Sequence, residues 1–237
     1  NSKILADDFS LMPEDTINGW RPEVIEAAKR VHPGVVRFPG GCFASFYNWH
    51  DGIGPHEKRQ PQPSYFWGGL NYNDVGIDEL GSFCNAIGAK MMYCVNVYHP
   101  LKQKYDHFFN EKTHGSHGRD LPQFADIEAG AKEAANLVAY CNLPVGSHPM
   151  ADLRAQNGHL KPFGIEFWEM DNEIHRWYTP TEYAKVVVLY SKMMKAIDPS
   201  IKIGLVTYGE RPELHLAYHE KLPEMLEIAG KHIDFLA

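Results

Sequence analysis

The constraint that bears hardest on the fold is the alternation of short apolar strands with helix-like stretches. GVVRF (34–38), AKMMYCVNV (89–97), GIEFWEM (164–170), IKIGLV (201–206) and HIDFL (232–236) each read as strand. They are nearly unbroken in apolarity, as expected of strands covered on both faces. A helical pattern at 21–31 precedes the first of them, and others lie between them from about Ile77 to a stop at Gly88, at 127–141, and from Thr179 to 197. Thr179, Pro180 and Glu182 give the last of these a capping box with proline at the first helical position. The segment from Pro212 to Gly230 reads as largely helical. Repeated βα units predict a parallel sheet of α/β class.

A doubly wound sheet would carry a phosphate-binding signature, and the chain has neither G-x-G-x-x-G nor a P-loop. Its polar and aromatic residues gather just after several different strands, at 39–51, 96–99, 171–178 and 207–211. That distribution predicts a (β/α)₈ TIM-barrel type, whose site is built from βα loops. Five to six βα units fall short of eight. The expectation is therefore an incomplete barrel over residues 1–237, cut short after HIDFLA and lacking a strand at its N-terminal side.

Composition narrows the partners. Of 237 residues 44% are hydrophobic and 22% charged, the formal net charge is −7, and no Lys/Arg run stands out, which argues against nucleic acid. No apolar run approaches the roughly 18 residues of a membrane span. No basic and apolar leader follows Asn1, although one could have been removed, so the compartment stays open. Cys42, Cys84, Cys94 and Cys141 are far apart and read as small buried hydrophobes. His114 and His117 in HGSHG lack a third ligand at metal spacing, and no metal or other cofactor is expected. A homo-oligomer is allowed.

FWEMDNEIHRWYTP (167–180) carries the sharpest chemical signal. A buried strand cannot hold an unpaired carboxylate cheaply, yet this one ends in Asp171, Asn172 and Glu173. Glu173, flanked in sequence by Trp168, Trp177 and Tyr178, suits a general acid raised by partial desolvation. Asn172 suits a hydrogen bond to a substrate hydroxyl. The competing reading makes Asp171 and Glu173 solvated caps for the loop before Thr179. A second group is RFPGGCFASFYNWHDGIGP (37–55), where Gly40 and Gly41 allow close backbone approach and Phe43, Phe46, Tyr47 and Trp49 offer flat surfaces for sugar rings. Arg37 at the strand end is placed to pair with a buried carboxylate. The competing reading is an ordinary βα turn over an aromatic cluster.

Together, RFPGGCFASFYNWHDGIGP, NDVGIDE, YCVNV, VAYCN and WEMDNE resemble the catalytic barrel of family 51 glycoside hydrolases, the retaining α-L-arabinofuranosidases. The resemblance implies Glu173 as general acid/base at the end of the fourth barrel strand and Asn172 on the sugar 2-hydroxyl. Cys42, after Gly41, falls where the family lines its arabinose subsite. Trp67 falls where an aromatic sits near the leaving group, and Trp49 and Asp51 match the family's Tyr-x-Trp-x-Asp stretch. The family more often has Gly in place of Asp171, which is expected to add charge beside the acid/base.

A retaining mechanism needs a second carboxylate about 5–5.5 Å from the first. The resemblance puts that nucleophile on the seventh strand, and neither that strand nor the family's accessory β-sandwich is found in these residues. The implied activity is exo-acting release of terminal arabinofuranosyl residues from arabinan- or arabinoxylan-type polysaccharides or oligosaccharides. Another hydrolase of the same clan, or a non-catalytic carbohydrate-binding fragment, remains open as an alternative.

Overall fold

The computed structural model describes residues 14–64, 69–99, 125–207, 210–211 and 216–237. Five parallel strands form its main sheet: β1 (Val35–Phe38), β2 (Lys90–Val95), β3 (Phe167–Met170), β4 (Lys202–Leu205) and β5 (Phe235–Leu236). Their spatial order is their chain order, and every pairing is parallel. A sheet wound in one direction has no switch point, so the doubly wound alternative is excluded. Successive crossovers of one hand place all the helices on one face. This is the wall of a TIM-barrel-type sheet.

The helices are α1 (Pro22–Val31), α2 (Ile77–Ile87), α3 (Ile127–Asn142), α4 (Pro149–Gln156), α5 (Pro180–Ile197) and α6 (Leu222–Ala229). Alternation along each strand divides the sheet into two rows. Phe38, Tyr93, Trp168 and Ile203 are in register, as are Val95 and Met170. This row packs against Leu137, Val138 and Tyr140 of α3 and Val187, Tyr190 and Met194 of α5 to make the core. The other row runs Arg37, Met92, Phe167, and then Cys94, Glu169, Gly204 and Phe235. The Phe235 ring lies where a Cβ on Gly204 would be, 2.3 Å away. That contact keeps position 204 small.

Two tyrosines of α5 tie the strand ends together. Tyr183 donates through its hydroxyl to the carbonyl of Met170 and accepts from Val206 N at 3.2 Å. Tyr190 accepts from Tyr98 N at 2.9 Å. The helix begins where expected: Thr179 accepts from Glu182 N, and Glu182 accepts from Thr179 N at 3.0 Å. Gly88 ends α2 with a positive φ of 74°.

Two expectations need correction. Among the described residues of the Pro212–Gly230 segment the α-helix covers Leu222–Ala229, after a 3₁₀ turn at His219–Lys221, and Leu216–Ala217 pairs antiparallel with Glu210–Arg211. Pro223 explains the late start, because proline without an N–H is tolerated only in a first helical turn. Helix α4, begun by Pro149 and capped by His148, lies in a stretch to which the sequence reading gave no element.

The connection after β1 is bolted onto α2. Arg59, buried, donates to both carboxylate oxygens of Glu79 at 2.8 and 2.9 Å, and Asp78 accepts from Gly54 N and Tyr140 Oη. At Gly76 a Cβ would stand 1.8 Å from the carbonyl oxygen of Gly52. Backbone cannot yield as a side chain does. Gly76→Ala is therefore expected to cost about 1–3 kcal/mol, seen as a lower urea midpoint at unchanged m-value.

Candidate active site

At the end of β1, Pro39 follows a cis peptide, and Gly41, at φ 59°, opens a short 3₁₀ turn over Gly41–Phe46. That turn carries Cys42 and Ser45, both buried. At the end of β3 the backbone turns sharply, with Asp171 at φ 68° and Glu173 at φ 45°. Neither is glycine, and each such residue costs roughly 1 kcal/mol or more unless its surroundings hold it. The two connections meet over the ends of β1 and β3.

Arg37 organises the group. Its Nε donates to Glu169 in a short ion pair, and its Nη2 donates to Asn172 Oδ1 at 2.9 Å. Burial works to lower the Arg37 pKa, but the Glu169 hydrogen bond and the Cys94 and Glu169 charges outweigh it and raise it. Arginine has no acceptor, so Asn172 must turn its carbonyl oxygen toward it. The Asn172 amide nitrogen then faces Cys42 Sγ, 3.9 Å away. Cys42 Sγ in turn lies 3.5 Å from Glu173 Oε2. The result is an amide donor, a thiol and a carboxyl side by side.

Glu173 is exposed to solvent. The desolvation expected from Trp168, Trp177 and Tyr178 is not supplied among the described residues. Trp168 is fully buried on the helix side of β3, 5.7 Å from Tyr93, so strand alternation points it away from the carboxyl. Trp177 packs edge-on to Phe46, and Tyr178 donates to the carbonyl of Tyr98. The solvated-cap reading also fails. Glu173 precedes the 3₁₀ turn Ile174–Arg176 without a side-chain cap hydrogen bond, and Asp171 is 0% exposed.

Asp171 is an anchor rather than a free charge beside Glu173. Its Oδ2 accepts from Val97 N at 2.9 Å, and its Oδ1 accepts from Ser45 Oγ and from Asn172 N at 2.7 Å. Three of the candidate residues lie elsewhere or cannot be placed. Trp49 is buried at 7% exposure on the helix side of the sheet, stacked on His50 and 5.3 Å from Tyr140. With His50, Tyr93, Asn96 and Glu133 it lines a cavity of about 320 Å³ between its turn and α3. Asp51 sits half-buried in the same turn, Trp49–Gly52. Trp67, like His114 and His117, lies outside the described residues.

The sugar-platform reading of Phe46, Tyr47 and Trp49 is overturned, since all three are packed into the core. The four cysteines are buried, and burial pushes the Cys84 thiol up to about 11. Cys42 and Cys94 are not merely apolar filler, because Cys94 Sγ also contacts the Asp171 carbonyl at 3.1 Å.

The sequence profile of the Alpha-L-arabinofuranosidase 1 domain matches residues 27–232, which contain all of this group. The chain belongs to that family. An intracellular exo-α-(1→5)-L-arabinofuranosidase of Bacillus subtilis is 30% identical over 230 residues, covering 95% of this chain and 40% of the relative. A probable α-L-arabinofuranosidase C of Aspergillus fumigatus is 32% identical over 193 residues, covering 79% of this chain and 32% of the relative. Among solved structures, an arabinose complex of the α-L-arabinofuranosidase of Thermotoga maritima superposes with a TM-score of 0.71 at 30% identity, over 96% of this chain and 40% of that one. A family 51 α-L-arabinofuranosidase of Bifidobacterium longum superposes at 0.73 with 26% identity, over 95% and 39%. The chain thus spans about 40% of the length of such relatives.

Within this α-L-arabinofuranosidase domain, sequence reasoning missed Glu169, Ser45 and the anchoring role of Asp171. Glu169 had a signal: a charge inside an apolar strand must find a partner, and Arg37 was already placed to provide one. Ser45 had none, because its partner is 126 positions away.

Proposed function

We propose that the full-length protein carrying this chain is a retaining, exo-acting α-L-arabinofuranosidase and that Glu173 is its general acid/base. The observation that carries the reading is the state of Glu173. It is an exposed carboxyl at the C-terminal end of a barrel strand, beside Asn172 and Cys42, and among the described residues it caps no helix. Active sites of this fold form at that end. Glu173 would protonate the glycosidic oxygen and then deprotonate the water that hydrolyses the glycosyl-enzyme ester. Asn172, oriented by Arg37, would donate to a hydroxyl of the sugar, and Cys42 with Gly41 would line the same subsite.

The nucleophile is a separate matter. Glu169 is committed to Arg37 and Asp171 is buried under three donors, so neither carboxylate is free to attack. The reading assigns the nucleophile, a glutamate, to the part of the relatives' length that this chain does not cover, as it does any accessory β-sandwich. The substrate class is terminal arabinofuranosyl residues of arabinan or arabinoxylan chains and their oligosaccharides. Among the described residues no helix is long and apolar enough to cross a membrane.

The test uses the full-length protein. Turnover of an aryl α-L-arabinofuranoside is expected to exceed that of aryl β-D-xyloside or galactoside, and proton NMR of the first product should show the retained anomer. An inverted first product, or preference for xyloside or galactoside, would overturn the reading.

A further inference from the structure

We propose that Asp171 is the positioning residue for Glu173, acting with Ser45 as a buried clamp. The proposal rests on Glu173 being the acid/base. Glu173 is exposed, and among the described residues its side chain has one polar contact, Cys42 Sγ at 3.5 Å. A carboxyl so lightly held takes its position from its backbone, and that backbone sits in the left-handed region at φ 45°. Such a conformation persists only where neighbouring structure enforces it.

Asp171 is the enforcing group. It is fully buried and itself left-handed, so its side chain faces inward between three connections. One oxygen takes the N–H of Val97 from the connection after β2. The other takes Ser45 Oγ from the turn after β1 and Asn172 N from its own connection. Its backbone N–H extends the ladder to Val95 O at 2.9 Å. Ser45 lies three residues beyond Cys42 on the same 3₁₀ turn. The clamp below and the Cys42–Glu173 contact above therefore join the same two connections. Cutting the lower link leaves the turn bearing Cys42 tied to the backbone bearing Glu173 by longer contacts, Cys42 Sγ to Glu173 and Asn172 and Ser45 Oγ to the Asn172 carbonyl at 3.5 Å, which hold position less tightly.

The fold itself does not demand a carboxylate here. Glycine takes a positive φ without strain, so Asp171→Gly removes the clamp and spares the backbone conformation. Ser45→Ala removes a single hydroxyl and provides a variant with little reason to misfold.

A set of aryl α-L-arabinofuranosides graded by leaving-group ability separates positioning from simple stabilisation. Proton donation matters most for poor leaving groups. For full-length Asp171→Gly, kcat/KM is expected to fall roughly 10- to 100-fold on the poorest leaving group and least on the best. Ser45→Ala should show the same slope with a smaller, few-fold loss. A loss uniform across the set, or no loss in either variant, would overturn the proposal. Glu173→Ala is measured alongside. Should it show no leaving-group dependence, the acid/base reading falls and the clamp falls with it. Should it show that dependence while the two clamp variants do not, only the clamp is refuted.

Discussion

Glu173→Ala in the full-length protein is expected to lose roughly 10²–10⁴-fold in kcat/KM on arabino-oligosaccharides while keeping much of its first-step rate on aryl arabinofuranosides with strongly activated leaving groups. A sugar alkoxide leaves poorly unless protonated, whereas an activated phenolate departs unaided. The second step has no such escape, since water needs a base to attack the glycosyl-enzyme ester. With an activated substrate the ester should accumulate as a burst, and azide, which needs no deprotonation, should accelerate turnover and yield the retained arabinosyl azide. The fold should tolerate the change. Glu173 is exposed, makes no cap hydrogen bond and contacts only Cys42 among the described polar side chains, so the thermal midpoint should move little. Full activity on natural oligosaccharides would remove Glu173 from the mechanism.

Much of the fold was legible because it follows local rules. The apolar runs at 89–97 and 201–206 became β2 and β4, Gly88 stopped α2, and the Thr179–Glu182 box started α5. Each depends on periodicity or on side chains within four residues. What escaped depends on distance. That Phe46, Tyr47 and Trp49 are core rather than sugar platforms follows from where α3 and the core-facing row of the sheet pack, which an aromatic-rich turn cannot announce. The alternation that sends Trp168 outward and Glu169 inward was readable along β3, but which face held the core was not. At Asp171 the sequence reading saw an extra charge where the structure has a buried junction of three connections. A carboxylate in so apolar a strand end had to be either solvated or fully hydrogen-bonded. Only the donors from positions 45 and 97 decide between the two.

Arg37→Met should markedly destabilise the described sheet, because it strands Glu169. The Glu169 side chain is 8% exposed, and its described polar partner is Arg37. Removing one member of a buried pair leaves an uncompensated charge and typically costs about 3–5 kcal/mol. Arg37 itself is 30% exposed, so the lower end of that range applies. Adding Glu169→Gln removes the stranded charge, so the double variant should regain most of the stability lost by the single one. Activity should not return with it. Asn172 would still lack the guanidinium that fixes its amide at 2.9 Å, so kcat/KM on arabinofuranosides stays depressed in a folded protein. Arg37→Lys divides the roles again: it keeps a charge for Glu169 but cannot span Glu169 and Asn172 with one planar fork. Urea midpoints for the three variants, set against their kcat/KM, test each step. Recovery of activity in the double variant would show that Arg37 serves the sheet and not the site.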